Sequence, residues 1–191
     1  MGKMSLTAAK VLELRERYGL IENLADRELE NPEGVGLDIR FGDVYELEGS
    51  GFLHREERKT PETEKIVEAG SGDTLTLEPG DYVLVKTLER VDVPGEKIEV
   101  DGEETHVWLD VYPRSTLQRS GIYFMGTKTD PGYSGELVFT LANLGPSAFE
   151  IQEGARIANL VFKTATGELE RAYEGQWNEG RVETGGTEEQ V

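Results

Sequence analysis

Asp130-Pro131-Gly132-Tyr133-Ser134-Gly135-Glu136-Leu137-Val138-Phe139-Thr140-Leu141-Ala142-Asn143 carries a turn and a strand in one stretch. Asp, Pro and Gly in succession favour a tight turn, because proline fixes φ and glycine accepts positive φ. The run of Leu, Val, Phe, Thr and Leu that follows has the composition of a strand. Outward from this stretch the same alternation continues. Tyr82–Val85, Thr105–Val111 and Ile157–Phe162 are further strand candidates. Glu78-Pro79-Gly80-Asp81 and Val93-Pro94-Gly95 are further turns. No long helical pattern falls between strands, which argues against a parallel βαβ fold. The expected class is mainly β: a distorted antiparallel β jelly roll or β-clip barrel with a short N-terminal helix. That helix is predicted over about residues 5–18. Ser5 caps it, Leu6, Ala9, Val11, Leu12 and Leu14 repeat at helical spacing, and Gly19 is its left-handed stop.

The 191 residues suit one domain, predicted over 1–182. Residues 54–73 are charged, with Ile66 and Val67 as the only apolar pair, and are expected to form a surface excursion holding a short helix. Residues 183–191, rich in Gly, Thr and Glu, are expected to be a flexible acidic tail. Lys and Arg total 20 against 38 Asp and Glu, a formal charge of −18. Such a field repels phosphate backbones and anionic lipid, so neither nucleic acid nor membrane is an expected partner. A phosphate-bearing ligand therefore needs a local cationic site. The acidic excess also suits the salt-rich cytoplasm of a halophilic archaeon. With no cysteine in the chain, thiolate zinc sites and Cys nucleophiles are excluded. His54 and His106 have no ligand spacing around them. The apolar residues of MGKMSLTAAKVLELRERYG are broken by charges, so this stretch is neither signal peptide nor membrane span, and a soluble cytoplasmic protein is expected.

Three places interrupt the ordinary β pattern. In Gly34-Val35-Gly36-Leu37-Asp38-Ile39-Arg40 an acid sits among apolar residues at a strand start. In Pro113-Arg114-Ser115-Thr116-Leu117-Gln118-Arg119-Ser120-Gly121 two arginines and several hydroxyls follow a strand, donors suited to phosphate oxygens. The third is the Asp130 turn, with an acid at its mouth and Tyr133 three residues on.

In order, these segments, together with Gly154-Ala155-Arg156-Ile157-Ala158-Asn159-Leu160-Val161-Phe162 and an echo at Tyr173-Glu174-Gly175-Gln176-Trp177-Asn178, resemble the dUTPase and dCTP deaminase superfamily. The resemblance implies a distorted jelly roll, a homotrimer with sites at subunit boundaries, and a deoxynucleoside triphosphate bound with Mg2+. It implies that Asp130 hydrogen-bonds the 3′-hydroxyl and orients or deprotonates water. Tyr133 packs beneath the sugar and rejects ribonucleotides. Arg114, Ser115 and Thr116 bind the triphosphate, with Arg119 as a second cation. Asp38 forms the site wall or meets the metal's water shell, and no residue is a direct metal ligand. Asn159 stands where Gln is usual, Gln176 is a further contact, and the backbone of residues 122–127 reads the pyrimidine edge.

The superfamily holds two chemistries, dUTP hydrolysis and zinc-free dCTP deamination. Deaminases move protons with a glutamate three residues before the strand's Asn; counting back from Asn143, that position holds Thr140. A threonine hydroxyl is no base near neutral pH. If the strand is regular, Glu136 shares a face with Thr140, but lies about 13 Å away. A dUTPase of archaeal type is thus the expected activity. A dCTP deaminase, alone or bifunctional, and a non-catalytic nucleotide-binding member are the alternatives. The stretch from Pro94 to Val111 is longer than usual, and the lysine found near Gln176 in deaminases is missing.

Overall fold

The structure, a computed structural model, describes residues 5–190. Residues 1–4 of the predicted domain and Val191 of the predicted tail lie outside the described residues. The first half runs α1 (Ala8–Tyr18), β1 (Ile21–Glu22), α2 (Asp26–Glu30), β2 (Leu37–Glu48), β3 (Phe52–Leu53), β4 (Glu57–Lys59), β5 (Glu62–Val67), β6 (Thr74–Leu77) and β7 (Tyr82–Asp92). There follow β8 (Ile98–Val100), β9 (Glu103–Pro113), α3 (Ser115–Arg119), β10 (Ile122–Met125), β11 (Lys128–Thr129), β12 (Ser134–Asn143), β13 (Phe149–Gln152), β14 (Arg156–Ala165) and β15 (Glu188–Glu189). The fold is mainly β and antiparallel, as the turn-and-strand alternation predicts.

The largest sheet runs β10-β12-β7-β2-β14-β9-β11, with β1 on β7, β5 on β2 and β8 on β9. Its two end strands, β10 and β11, are separated in sequence only by Gly126 and Thr127. So short a link forces the sheet to curl until its ends meet. Gly126 makes that closure, since a Cβ there would lie 2.3 Å from the Val111 carbonyl oxygen. Inside the curl Leu37, Ile39, Phe41, Leu109, Leu141, Ile157, Leu160 and Phe162 are completely or almost completely buried. Leu37, Ile39 and Phe41 on β2 alternate as the period of two requires, while on β14 an irregularity between Arg156 and Ala158 puts Ile157 out of step with Leu160 and Phe162.

Three local expectations are corrected. Thr7, not Ser5, caps α1: its hydroxyl accepts the Lys10 N–H at 3.3 Å. The chain before it is drawn onto the sheet instead, with Ser5 bridging to Lys163 and the Leu6 N–H donating to the Phe162 carbonyl at 2.8 Å. Gly19, at φ 71°, ends the helix as predicted. The charged stretch 54–73 contains β4 and β5 rather than a helix, because β5 supplies the partner that Val44–Glu48 of β2 needs.

Residues 183–190 are fastened rather than free. β15 pairs with β4, the Thr184 N–H donates to the Thr60 hydroxyl at 3.0 Å, and Glu188 pairs with both Arg58 and Arg181 at 2.9 Å. Polar bonds alone hold this segment, so no apolar pattern announces it.

Candidate active site

Asp130 opens a four-residue turn in which Pro131 supplies φ and Gly132, at φ 98°, supplies the positive angle of a type II turn. The Tyr133 N–H donates to the Asp130 carbonyl at 3.2 Å, and Gly132 and Val93 anchor the turn to the end of β7. Gly132 has a second duty. A Cβ on it would lie 2.7 Å from the Tyr173 carbonyl oxygen, so the turn accepts the chain that follows β14 only because it carries none. Residues 173–182 thereby lie across the turn.

The result is a cavity of about 370 Å³, lined by Leu84, Leu137 and Val138 from the sheet, residues 127–130, Tyr133, and Tyr173, Trp177, Arg181 and Val182 from the covering chain. That volume suits a small organic ligand, and apolar walls with a few polar groups are typical of such sites. Tyr133 is buried, its hydroxyl donating to the Glu136 carbonyl at 2.6 Å, and burial pushes its phenol up to about 12. It is therefore a neutral packing surface at physiological pH. Its ring lies 5.9 Å from that of Tyr173. Lys128 pairs with Asp130 through both carboxylate oxygens. A second groove, also lined by Tyr173 and Trp177, reaches Asp130 and adds Arg58, Arg171 and Gln176. The Gln176 amide donates to the Glu189 carbonyl at 2.9 Å. Trp177 lies under two guanidiniums, those of Arg58 at 4.9 Å and Arg181 at 5.8 Å.

The arginine-rich motif lies elsewhere on the chain. Arg114, Asp38 and Asn159 line another cavity, also of about 370 Å³, with Arg27, Glu28, Glu33 and residues 34–36. Asp38 is its hub: it pairs with Arg114, with Arg156 at 2.9 Å and with the Asn159 amide at 3.2 Å. Glu28, almost completely buried, accepts the Asp38 N–H at 3.1 Å and also faces Arg27 and Arg156. Two arginines and three carboxylates in the lining leave no excess of positive charge, so within one chain this is not the cationic hollow the sequence suggests. Ser115, Thr116 and Arg119 are exposed on α3 just beyond it.

In the antiparallel register Thr129 faces Leu109, which sets Asp130 about six residues, or ~20 Å, from Arg114 along β9. One chain thus brings Asp130 and Tyr133 together in one cavity, Asp130 and Gln176 in the second groove, and separately Arg114, Asp38 and Asn159.

Thr140 is buried on β12, and its hydroxyl meets that of Tyr82 at 3.0 Å. The pairing of β12 with β7 shifts between Glu136 and Val138, so the regular ladder assumed from sequence does not hold there. Glu136 faces Lys86 at 3.5 Å and Arg90 at 3.9 Å. Sequence reasoning missed Lys128, Arg58, Glu28 and Arg156. Lys128 had a signal, being two residues from Asp130, and Arg156 stands in the Gly154–Phe162 motif; Arg58 and Glu28 become visible only through tertiary contacts.

Residues 5–165 match the dCTP deaminase-like family. The chain is 32% identical over 160 residues to a dCTP deaminase of Natronomonas pharaonis, covering 80% of this chain and 76% of that protein. It is 33% identical over 144 residues to a protein of Aeropyrum pernix named "Probable deoxyuridine 5'-triphosphate nucleotidohydrolase", covering 75% and 82%. Among solved structures, the 2'-deoxycytidine 5'-triphosphate deaminase of Agrobacterium tumefaciens superposes with a TM-score of 0.62 at 15% identity. That alignment covers 86% of this chain, which spans about half (48%) of the solved one. Family match, identity and fold agree: this chain belongs to the dCTP deaminase-like family.

Proposed function

We propose that the protein hydrolyses dUTP to dUMP and pyrophosphate, with Asp130 aiming water at the α-phosphorus. The observation that carries this reading is the contrast between Asp130 and Thr140. A carboxylate opens onto the apolar cavity, whereas the strand position from which a deaminase would draw a base holds a hydroxyl already bonded to Tyr82. Tyr133 packs under the deoxyribose, Thr127 and the backbone of residues 122–127 face the pyrimidine, and Gln176 contributes from the second groove that also reaches Asp130. Water attack forms one P–O bond while the bond to the pyrophosphate oxygen breaks, and Asp130 takes the water's proton. Positioning and charge neutralisation supply the rate.

The ~20 Å between Asp130 and Arg114 supports a homotrimer in which one copy offers the Asp130 cavity and another its Arg114, Ser115, Thr116 and Arg119 segment. Mg2+ would be held by the triphosphate, whose charge it would neutralise while keeping water in its shell. The donor set fits that arrangement. Asp38 already accepts from three side chains, so it meets the metal's water shell rather than the ion, and Asn159 holds it there.

The experiment is to incubate the protein with dUTP and Mg2+ and follow pyrophosphate. Its release, absent in Asp130→Asn, supports the reading; no turnover of dUTP removes it. A second reading, dCTP deamination, is favoured by the name of the Natronomonas relative. Ammonia released from dCTP identifies it, and binding without turnover identifies a non-catalytic nucleotide binder.

A further inference from the structure

Lys128 lies in β11 and Asp130 just beyond its end, and the ammonium spans both carboxylate oxygens. Proximity alone does not dictate this pairing. In the β9–β11 register Lys128 stands opposite Asp110, so a second carboxylate is its cross-strand neighbour. Asp110 is already engaged: it pairs with Lys163 and accepts the Tyr112 hydroxyl at 3.2 Å. Lys163 is held in turn over the rings of Trp108 and Tyr112, 5.0 and 5.8 Å from their centroids. With Asp110 occupied, Lys128 is left to Asp130.

This pairing is easily given up. The side chains of Lys128 and Asp130 are 60% and 44% exposed, and both line the cavity. An ion pair that open to water shifts an equilibrium by less than about fivefold. A triphosphate offers an ammonium several negative charges where the carboxylate offers one. A carboxylate capped by a cation is also poorly placed to accept a proton from water.

We propose that Lys128 is an exchangeable counter-ion and a further substrate-binding residue. In the free protein it caps Asp130; when nucleotide binds, its ammonium moves to the α-phosphate oxygens and uncovers Asp130 for the attacking water. This rests on the hydrolase reading of the Asp130 cavity. The Lys128 ammonium adds positive charge where the transition state gathers negative charge.

The test is a double-mutant cycle on binding of the non-hydrolysable α,β-imido analogue of dUTP, using wild type, Lys128→Met, Asp130→Asn and the double variant, with kinetics on dUTP alongside. Exchange between partners predicts that Lys128→Met weakens binding about threefold in the wild-type background. In the Asp130→Asn background, where no carboxylate competes for the ammonium, it weakens binding about tenfold. Lys128→Arg restores binding to within about threefold, and Lys128→Met lowers kcat more than it raises KM. Equal factors in the two backgrounds, or an analogue that wild type does not bind, overturn the proposal. Wild type that binds the analogue but does not hydrolyse dUTP removes the hydrolase reading and leaves the binding cycle to judge Lys128.

Discussion

The hydroxyls of Tyr82 and Thr140 meet at 3.0 Å, diagonally across the paired strands β7 and β12, where Tyr82 stands opposite Ala142. A threonine hydroxyl cannot stand in for a carboxylate base, and positioned acid–base groups typically contribute about 10²–10⁴-fold. Ammonia release from dCTP is therefore expected to run at less than about a hundredth of the rate of pyrophosphate release from dUTP. Assaying both products from one preparation checks this, and comparable rates would refute it.

Asp130→Asn is expected to lower dUTP turnover by at least about 100-fold. Its thermal midpoint should stay within a few degrees of wild type, because the only ion pair lost is exposed and worth about 0.2–1 kcal/mol. Kinetics and calorimetry on one sample separate a lost reaction from a lost fold.

Gly36 makes room for Asn159: a Cβ at Gly36 would lie 1.8 Å from the Asn159 carboxamide oxygen. Gly36→Ala must displace that side chain and its bond to Asp38. A cost of about 1–3 kcal/mol is expected, with weaker nucleotide binding. Placing Gly36→Ala on an Asn159→Ala background should remove most of the additional cost, and denaturant unfolding of the four proteins measures it. Full additivity would contradict the contact.

Asp43 gives the fold a pH signature. Burial opposes its ionisation, but the Ala69 N–H at 2.8 Å, the Lys65 ammonium at 2.9 Å and the Tyr45 hydroxyl at 3.0 Å outweigh it and hold the carboxyl below the ordinary 3.8. A depressed carboxyl stabilises the fold above its unfolded value and ceases to do so as pH falls through the folded one. Asp43→Asn should thus cost about 1–2 kcal/mol at neutral pH, and that difference should shrink below pH 3.8. Urea unfolding of both proteins at pH 7 and pH 3 tests the sign.

With a formal charge of −18, self-repulsion should lower stability in dilute buffer, and salt should screen it. The melting temperature is expected to rise between low and molar KCl. A constant or falling value would show that local ion pairs, such as the pairs of Glu188 with Arg58 and Arg181, dominate instead.

The β class was legible because alternation and Pro-Gly turns are local signals, and the Asp130 turn was legible because its four residues determine its geometry. Asp130 and Tyr133 are consecutive enough that folding the turn brings them together. The covering chain was not legible. Trp177 is held by Arg58, from a segment more than a hundred residues earlier that reads as solvated charge. Ion pairing of Arg114 by Asp38 was hidden for the same reason: a guanidinium free for phosphate and one already neutralised have identical sequence. The bulge beside Glu136 likewise belongs to a pairing of two strands and not to either alone.

Arg58 and Glu188 stand 130 positions apart, and their pairing accompanies the packing of Arg58 over Trp177, part of the roof of the Asp130 cavity. During synthesis the barrel can assemble while this roof is still missing, since β4 has to wait for β15 to be translated. Nascent or clipped chains lacking β15 would keep a folded body with an unroofed pocket. Loss of the roof should then appear as protease sensitivity near Trp177 before any loss of the barrel itself.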